Sequence, residues 1–128
     1  MDELIAHLFG DYVVQSTWMA ERKLEAHGPA LAHALSYAAC FTPLTRSPAR
    51  LAVIAGTHFA IDRWRLARYL VWAKNQAAPP AYRYELASAG RSGYVESQPW
   101  LHVWLGIIAD NSVHLLINRL ALRGIRRG

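Results

Sequence analysis

Three aspartates in this chain each have a histidine four residues away along the sequence. The pairs are His7–Asp11, His58–Asp62 and Asp110–His114. Only one further aspartate is present, so this spacing is far more frequent than chance placement of the histidines predicts. Residues four apart lie on one face of a helix, so each pair can direct two ligand atoms to one place. Because a buried charge is costly unless it is paired or binds a metal ion, the pairs indicate buried ion pairs or a metal centre.

A further histidine, His33, lies in a separate apolar segment, so each predicted helix carries at least one candidate ligand. Helical bundles build metal sites from His and carboxylate side chains that point inward from facing helices. Mixed imidazole and carboxylate ligation suits Zn²⁺, Mn²⁺ or Fe²⁺ better than Mg²⁺ or Ca²⁺. We therefore predict a centre of two divalent metal ions. Its candidate ligands are His7, Asp11, His33, His58, Asp62, Asp110 and His114.

Catalytic roles can be assigned to four residues in this hypothesis. Either Asp11 or Asp62 bridges the two ions, in a centre that activates water and clamps a phosphoryl group. Gln15, one helical turn after Asp11, is placed to orient water or substrate. Arg65, seven residues after His58, lies on nearly the same face of the predicted helix and is placed to hold a phosphate.

Four helices are predicted to position these residues. Asp2 is a good N-cap for the first, Gly28 is expected to end it, and Ser47 with Pro48 begins the third. The predicted ranges are about 2–26, 29–41, 48–75 and 99–123. Gly10, Gly56 and Gly106 each precede a paired residue closely, which indicates close approach of a neighbouring helix.

Residues 77–99 are rich in proline, glycine and tyrosine and show no sustained period. We predict a long irregular connection there, or a short hairpin. The expected fold is therefore all-α, a compact bundle of about four main helices that forms a single domain over residues 1–128.

Composition limits the function classes. Hydrophobic residues make up 53% of the chain and charged residues 18%, which argues against disorder. A single cysteine, Cys40, excludes a disulfide framework and a cysteine-rich zinc site. The net charge of +5 fits a polyanion, an anionic membrane surface or a phosphate-bearing substrate, although a solvated basic surface would also account for it.

The sequence shows no secretory signal, because Met1 is followed by acidic residues instead of a basic segment. It has no uninterrupted apolar stretch of about 18 residues, the length that a membrane-spanning helix needs. We expect a soluble, cytoplasmic protein. Peripheral membrane contact and assembly into a homo-oligomer are both left open.

Three stretches, "HLFGDYVVQSTWMAERK", "LAHALSYA" and "THFAIDRWR", resemble the bacterial and phage family called domain of unknown function 3307. The resemblance covers roughly residues 4–70. It maps onto His7, Gly10, Asp11, Gln15, Trp18, His33, His58 and Asp62, and less securely onto Asp110 and His114. Many relatives carry additional hydrophobic helices that this chain lacks. The same His/Asp pattern also resembles the all-helical metal-dependent hydrolases.

Three functions are compatible with these observations. The leading hypothesis is a metal-dependent phosphohydrolase, a phosphodiesterase that acts on a nucleotide or another small phosphoester. The first alternative is a non-catalytic module that binds a nucleotide or nucleic acid through basic and aromatic residues. The second is a membrane-peripheral structural protein in which the His–Asp pairs are buried hydrogen bonds.

Overall fold

The computed structural model of the chain describes residues 1–95 and 100–124. This part of the chain is all-α, with six α-helices and no strands, which confirms the predicted fold class. The helices are α1 (Glu3–Leu8), α2 (Thr17–Arg22), α3 (His27–Ala39), α4 (Pro48–Trp64), α5 (Leu66–Asn75) and α6 (Gly106–Gly124). Two units are distinguished: residues 1–64 with the described residues from 114 onward, and residues 65–113.

The first predicted helix is interrupted, and the prediction of one helix over 2–26 is wrong. Asp2 caps α1 as expected, since its Oδ1 accepts a hydrogen bond from the Ile5 amide at 2.9 Å. A π-helical turn over Phe9–Val13 follows, and Ser16 then caps the separate helix α2. The Gln15 side chain closes the break by donating to the backbone oxygen of Asp11 at 3.1 Å. The helix that begins at Glu3 therefore does not continue into α2, because the side chains of Gln15 and Ser16 bond to the backbone at the break.

Two other predicted boundaries are also wrong. Gly28 does not end a helix, because it lies in the first turn of α3. The third predicted helix begins at Pro48 as expected but ends at Trp64, where Arg65 adopts a left-handed conformation with φ 51°. A left-handed residue is a common helix terminator, although glycine usually occupies it. The break at Arg65 divides the predicted helix into α4 and α5.

The core of the first unit is small and lies beside Tyr37, which is fully buried on α3. The buried hydrophobic residues of this cluster are Ala6, Tyr37, Ala38, Phe41, Ile54 and Ala121. Gly10 allows the π-helical turn to approach α3, because a Cβ at Gly10 would lie 2.6 Å from the Tyr37 ring. The close approach predicted at Gly10 is thus confirmed. At Gly56 it is wrong, since a Cβ there would meet nothing within 4 Å.

In the second unit, the connection after α5 is ordered around Tyr84. The backbone oxygen of Tyr84 accepts a hydrogen bond from the Trp72 indole at 3.0 Å, and its hydroxyl donates to the Gly93 oxygen at 2.6 Å. The segment contains 3₁₀ turns over Pro80–Tyr82 and Leu86–Ser88. Residues 77–95 therefore form the irregular connection that was predicted, and the alternative of a short hairpin is not observed in them. Residues 96–99, which include the predicted start of the last helix, lie outside the described residues.

Helices long and apolar enough to cross a lipid bilayer do not occur in the part of the chain that the structure describes.

Candidate metal centre

Four segments of the first unit bring polar side chains to one buried location. They are α1 with its following π-helical turn, α3, α4 and the second half of α6. The buried polar residues on these segments are His7, Asp11, His33, His58, Asp62, His114 and Asn118. A π-helical turn shifts the register of side chains and is often found at functional sites, and here it places Asp11 inside.

Two imidazole nitrogens and two carboxylate oxygens lie close together at the centre of this cluster. His33 Nε2 lies 3.3 Å from Asp11 Oδ1 and 3.4 Å from Asp62 Oδ2. His58 Nε2 lies 3.3 Å from each of the same two oxygens. The two Nε2 atoms are 2.9 Å apart. Ligands bound tetrahedrally with bonds of about 2.1 Å lie about 3.4 Å from one another, so the spacings among Asp11 Oδ1, His33 Nε2 and His58 Nε2 are close to those of three ligands to one divalent ion.

Unsatisfied polar atoms also mark this location. Asp11 Oδ1, His33 Nδ1 and His58 Nδ1 are buried and have no hydrogen-bond partner among the described residues. Leaving a buried carboxylate oxygen without a donor is costly. A cation placed among Asp11, His33 and His58 would satisfy that oxygen and both Nε2 atoms together, so the donor set fits a metal ion.

Asp62 extends the cluster toward a second group of ligands. Its Oδ2 faces His33 and His58, whereas its Oδ1 accepts a hydrogen bond from His114 Nε2 at 3.1 Å. Two buried triads could therefore hold metal ions: Asp11, His33 and His58, and His58, Asp62 and His114. One imidazole nitrogen binds only one ion, so Asp62, with two oxygens facing different groups, is better suited than His58 to bridge them.

A lysine reaches the cluster from its edge. Lys23, which follows α2, donates to Asp62 Oδ2 at 2.6 Å, and its side chain is 19% exposed. It is the most exposed of the groups that contact Asp62. Lys23 therefore connects the buried carboxylate to the protein surface and adds a positive charge at that edge.

Tyr37 joins two elements behind the candidate metal ligands. Its hydroxyl lies 2.6 Å from His7 Nδ1 and accepts a hydrogen bond from Asn118 Nδ2 at 2.5 Å. Its ring stacks on the His58 imidazole with the ring centroids 3.7 Å apart. His7 Nδ1 also lies 3.5 Å from Asp11 Oδ2. Contacts of this kind fix the orientation and tautomer of ligating histidines in metal sites.

The titration behaviour of the cluster follows from competition between burial and charge. Burial tends to raise the pKa of Asp62, but the hydrogen bonds from His114, His33 and His58 outweigh it and hold that pKa well below the ordinary value. Asp11 shows the same balance and also has a lowered pKa. Burial lowers the pKa of His58. Burial tends to lower the pKa of His33, but the nearby carboxyl groups of Asp11 and Asp62 outweigh it and raise that pKa. Both carboxyl groups are therefore charged at neutral pH.

The structure brings together most of the predicted site residues. Those with contacts in the cluster are His7, Asp11, His33, His58, Asp62 and His114. Gln15 contacts Asp11 through the backbone oxygen, and the Gln15 Oε1 atom is buried with no hydrogen-bond partner in residues 1–95 and 100–124. Asp110 is half-buried in α6 within the second unit, and its assignment as a ligand stays a prediction.

The placement of Arg65 on the face of His58 is corrected. That placement assumed a helix that continues through Arg65, but α4 ends one residue earlier and Arg65 has a left-handed backbone. Seven-residue spacing places two side chains on one face only within a continuous helix. Phosphate binding by Arg65 stays a prediction without this support.

Three residues that contact the cluster, Tyr37, Asn118 and Lys23, are not among the predicted site residues. Tyr37 and Asn118 each lie one helical turn after a candidate ligand, His33 and His114, so the spacing of four could have found them. Lys23 has no such signal, because its contact with Asp62 joins segments 39 residues apart.

Comparison with known proteins gives a family but no described activity. No curated protein and no solved structure matches the chain significantly. A family described as protein of unknown function, DUF3307, matches residues 1–118, which includes every segment that forms the cluster up to Asn118. The chain therefore belongs to the DUF3307 family.

Proposed function

We propose that this protein is a metal-dependent phosphohydrolase, a phosphodiesterase that acts on a nucleotide or another small phosphoester. The observation that supports it best is the pair of buried triads, Asp11, His33 and His58 and His58, Asp62 and His114, in each of which the ligand atoms lie within 4.8 Å of one another. Asp62 is the proposed bridge between two Zn²⁺, Mn²⁺ or Fe²⁺ ions, because each of its oxygens faces a different histidine group.

Divalent ions bound there would polarise a phosphoryl oxygen and make water more acidic. The chain's own groups supply positioning. Lys23, held against Asp62 at the exposed edge, is placed to contact a phosphate as a point charge. The Gln15 Oε1 atom needs a donor, which a water molecule or a substrate hydroxyl can supply. Lys23 thus takes the phosphate-contacting role that the sequence suggested for Arg65.

Turnover assays on the metal-supplemented protein test this proposal. We expect hydrolysis of bis(p-nitrophenyl) phosphate or a cyclic nucleotide with Mn²⁺ or Zn²⁺, and loss of it in Asp62→Asn. Lys23→Gln should lower kcat/KM by about 10- to 100-fold, as expected when a hydrogen bond to a charged group is lost. Arg22→Gln is the matched control, because Arg22 is adjacent and exposed and pairs with Glu25. Protein that binds the metal but hydrolyses no phosphoester would contradict the proposal.

One observation favours a second candidate, a structural role for the same cluster. His33, His58 and Asp62 are almost completely buried, as the ligands of closed structural zinc sites are. If the centre is structural, removal of the metal should unfold the protein, and Lys23→Gln should leave phosphoester hydrolysis unchanged. The enzyme proposal predicts that Lys23→Gln keeps its metal and stability while activity falls.

A further inference from the structure

The polarity of α1 and its following π-helical turn is reversed with respect to an ordinary surface helix. Its inner face carries His7, Gly10 and Asp11, all buried. Its outer face, which we define as Leu4, Ile5, Leu8, Phe9 and Val13, is apolar, and each of these side chains is at least 42% exposed. A helix at the surface of a water-soluble domain normally buries its apolar stripe and exposes its polar one.

Two other helices of the first unit share this reversal. On α3, His33 and Tyr37 point inward while Leu31 and Leu35 are exposed. On the second half of α6, His114 and Asn118 are buried while Leu116 and Leu120 are exposed. Scattered exposed apolar side chains need no explanation, but a contiguous apolar face indicates a surface that something covers.

We propose that the outer face of α1 inserts into the surface of an anionic phospholipid bilayer. From Glu3 to Val13 the segment is about 16 Å long, far less than the hydrocarbon thickness of about 30 Å, so it can lie in the interface but not cross the membrane. The residues between Leu4 and Val13 include no lysine or arginine and only one carboxylate, Asp11, which faces inward.

Charge next to this face favours anionic lipid. Arg119 on α6 is 48% exposed but forms an ion pair with Glu3 at the start of α1, so its charge is largely offset there. Arg123 follows it one turn later and is exposed, and the chain as a whole has a net charge of +5. Basic residues beside an apolar helical face strengthen binding to anionic headgroups.

Vesicle flotation of the full chain tests this inference, which is independent of the proposed catalysis. The probe is a phosphatidylcholine vesicle with about a third phosphatidylglycerol, compared with phosphatidylcholine alone. The test variant combines Ile5→Gln with Phe9→Gln on the outer face. The control combines Leu66→Gln with Leu70→Gln, an equally spaced exposed pair on α5. Circular dichroism establishes that each variant keeps its helical content.

We expect the wild-type protein and the control to float with the anionic vesicles, and the outer-face variant to bind at least about tenfold more weakly. Binding should persist in part at about 1 M NaCl, where the charge contribution is screened. Three results would overturn the inference: absence of flotation, equal loss in both variants, or a lipid-free dimer that the outer-face substitutions dissociate and that does not bind vesicles. The last would assign the face to a second copy of the chain.

Discussion

The ring nitrogens Nε2 of His33 and His58 lie 2.9 Å apart, although the two residues come from different helices. Two neutral imidazoles can share one proton at this distance, but two protonated rings would repel each other. Asp11 and Asp62 each place an oxygen 3.3–3.4 Å from these nitrogens. Asp11 Oδ1 and the two nitrogens are spaced closely enough to bind one cation together, and Asp62 extends the group toward His114.

Replacing one convergent ligand should remove metal without unfolding the protein. We expect His58→Gln to lower the affinity for Zn²⁺ or Mn²⁺ by at least about 100-fold, since even residues that only support ligands cost 10- to 100-fold. Competition with a chromophoric chelator measures this affinity. His27→Gln is the matched control, because His27 is exposed and contacts Arg63 instead of the cluster. Equal affinities in the two variants would contradict the ligand role of His58.

Removing the Tyr37 hydroxyl should weaken both the fold and the metal site. Tyr37→Phe leaves His7 Nδ1 and Asn118 Nδ2 without their shared partner, so we expect a loss of about 1–3 kcal/mol in the free energy of unfolding. Metal affinity should fall about tenfold, because His7 loses the contact that orients it. Chemical denaturation with and without metal measures both. Tyr82→Phe, at an exposed position, should change neither quantity.

Alanine at two glycines should have opposite effects on stability. Gly10→Ala places a Cβ 2.6 Å from the Tyr37 ring and 3.3 Å from its backbone, so we expect a loss of about 1–3 kcal/mol from overpacking. Gly56→Ala meets nothing within 4 Å in the interior of α4, so we expect a gain of about 0.5–1 kcal/mol from helix propensity. Thermal unfolding of both variants measures whether their stabilities change in opposite directions. Equal shifts would show that Tyr37 does not pack closely on Gly10.

Stability of the metal-free protein should fall in acid. The pKa values of Asp62 and Asp11 are lowered in the folded state from the ordinary 3.8. Their ionised forms therefore contribute stability above the unfolded-state pKa, and this contribution is lost as the pH falls through the lower folded-state pKa values. Near neutral pH, the pKa values of His33 and His58 are shifted in opposite directions, so the two histidines change the pH dependence of stability in opposite senses.

Melting temperatures of chelator-treated protein between about pH 5 and pH 2.5 measure this dependence. Asp62→Asn should flatten the curve, whereas Glu21→Gln, at an exposed position outside the cluster, should leave it unchanged. An equally steep curve in Asp62→Asn would show that the carboxyl group of Asp62 is not the origin of the acid sensitivity.

Most residues of the cluster could be predicted from the sequence, but the ends of the helices that position them could not. A spacing of four between His58 and Asp62 predicts a shared face, and the structure places their ligand atoms 3.3 Å apart. The break at Arg65 has no glycine or proline to signal it, and the break before Ser16 depends on side-chain caps that compete with a helical pattern.

Contacts between segments that are distant in the sequence could not be predicted from the spacing of residues. Lys23 meets Asp62 across 39 residues, and only the packing of the folded chain determines that pair. The hydroxyl of Tyr37 likewise joins His7 to Asn118, which lies 81 residues after Tyr37. A polar residue on the inner face of a helix can be anticipated from its period, but its partner cannot.

Elemental analysis of protein purified without chelators tests directly whether the His/Asp cluster binds a metal ion. We expect stoichiometric Zn²⁺, Mn²⁺ or Fe²⁺ in the wild-type chain and in the control His27→Gln, and loss of the ion in a His33→Asn, His58→Gln double variant that keeps its helical content. Adding the same ion back to chelator-treated protein should raise its melting temperature by mass action. Metal-free wild-type protein whose melting temperature no divalent ion changes would contradict the assignment of this cluster as a metal centre.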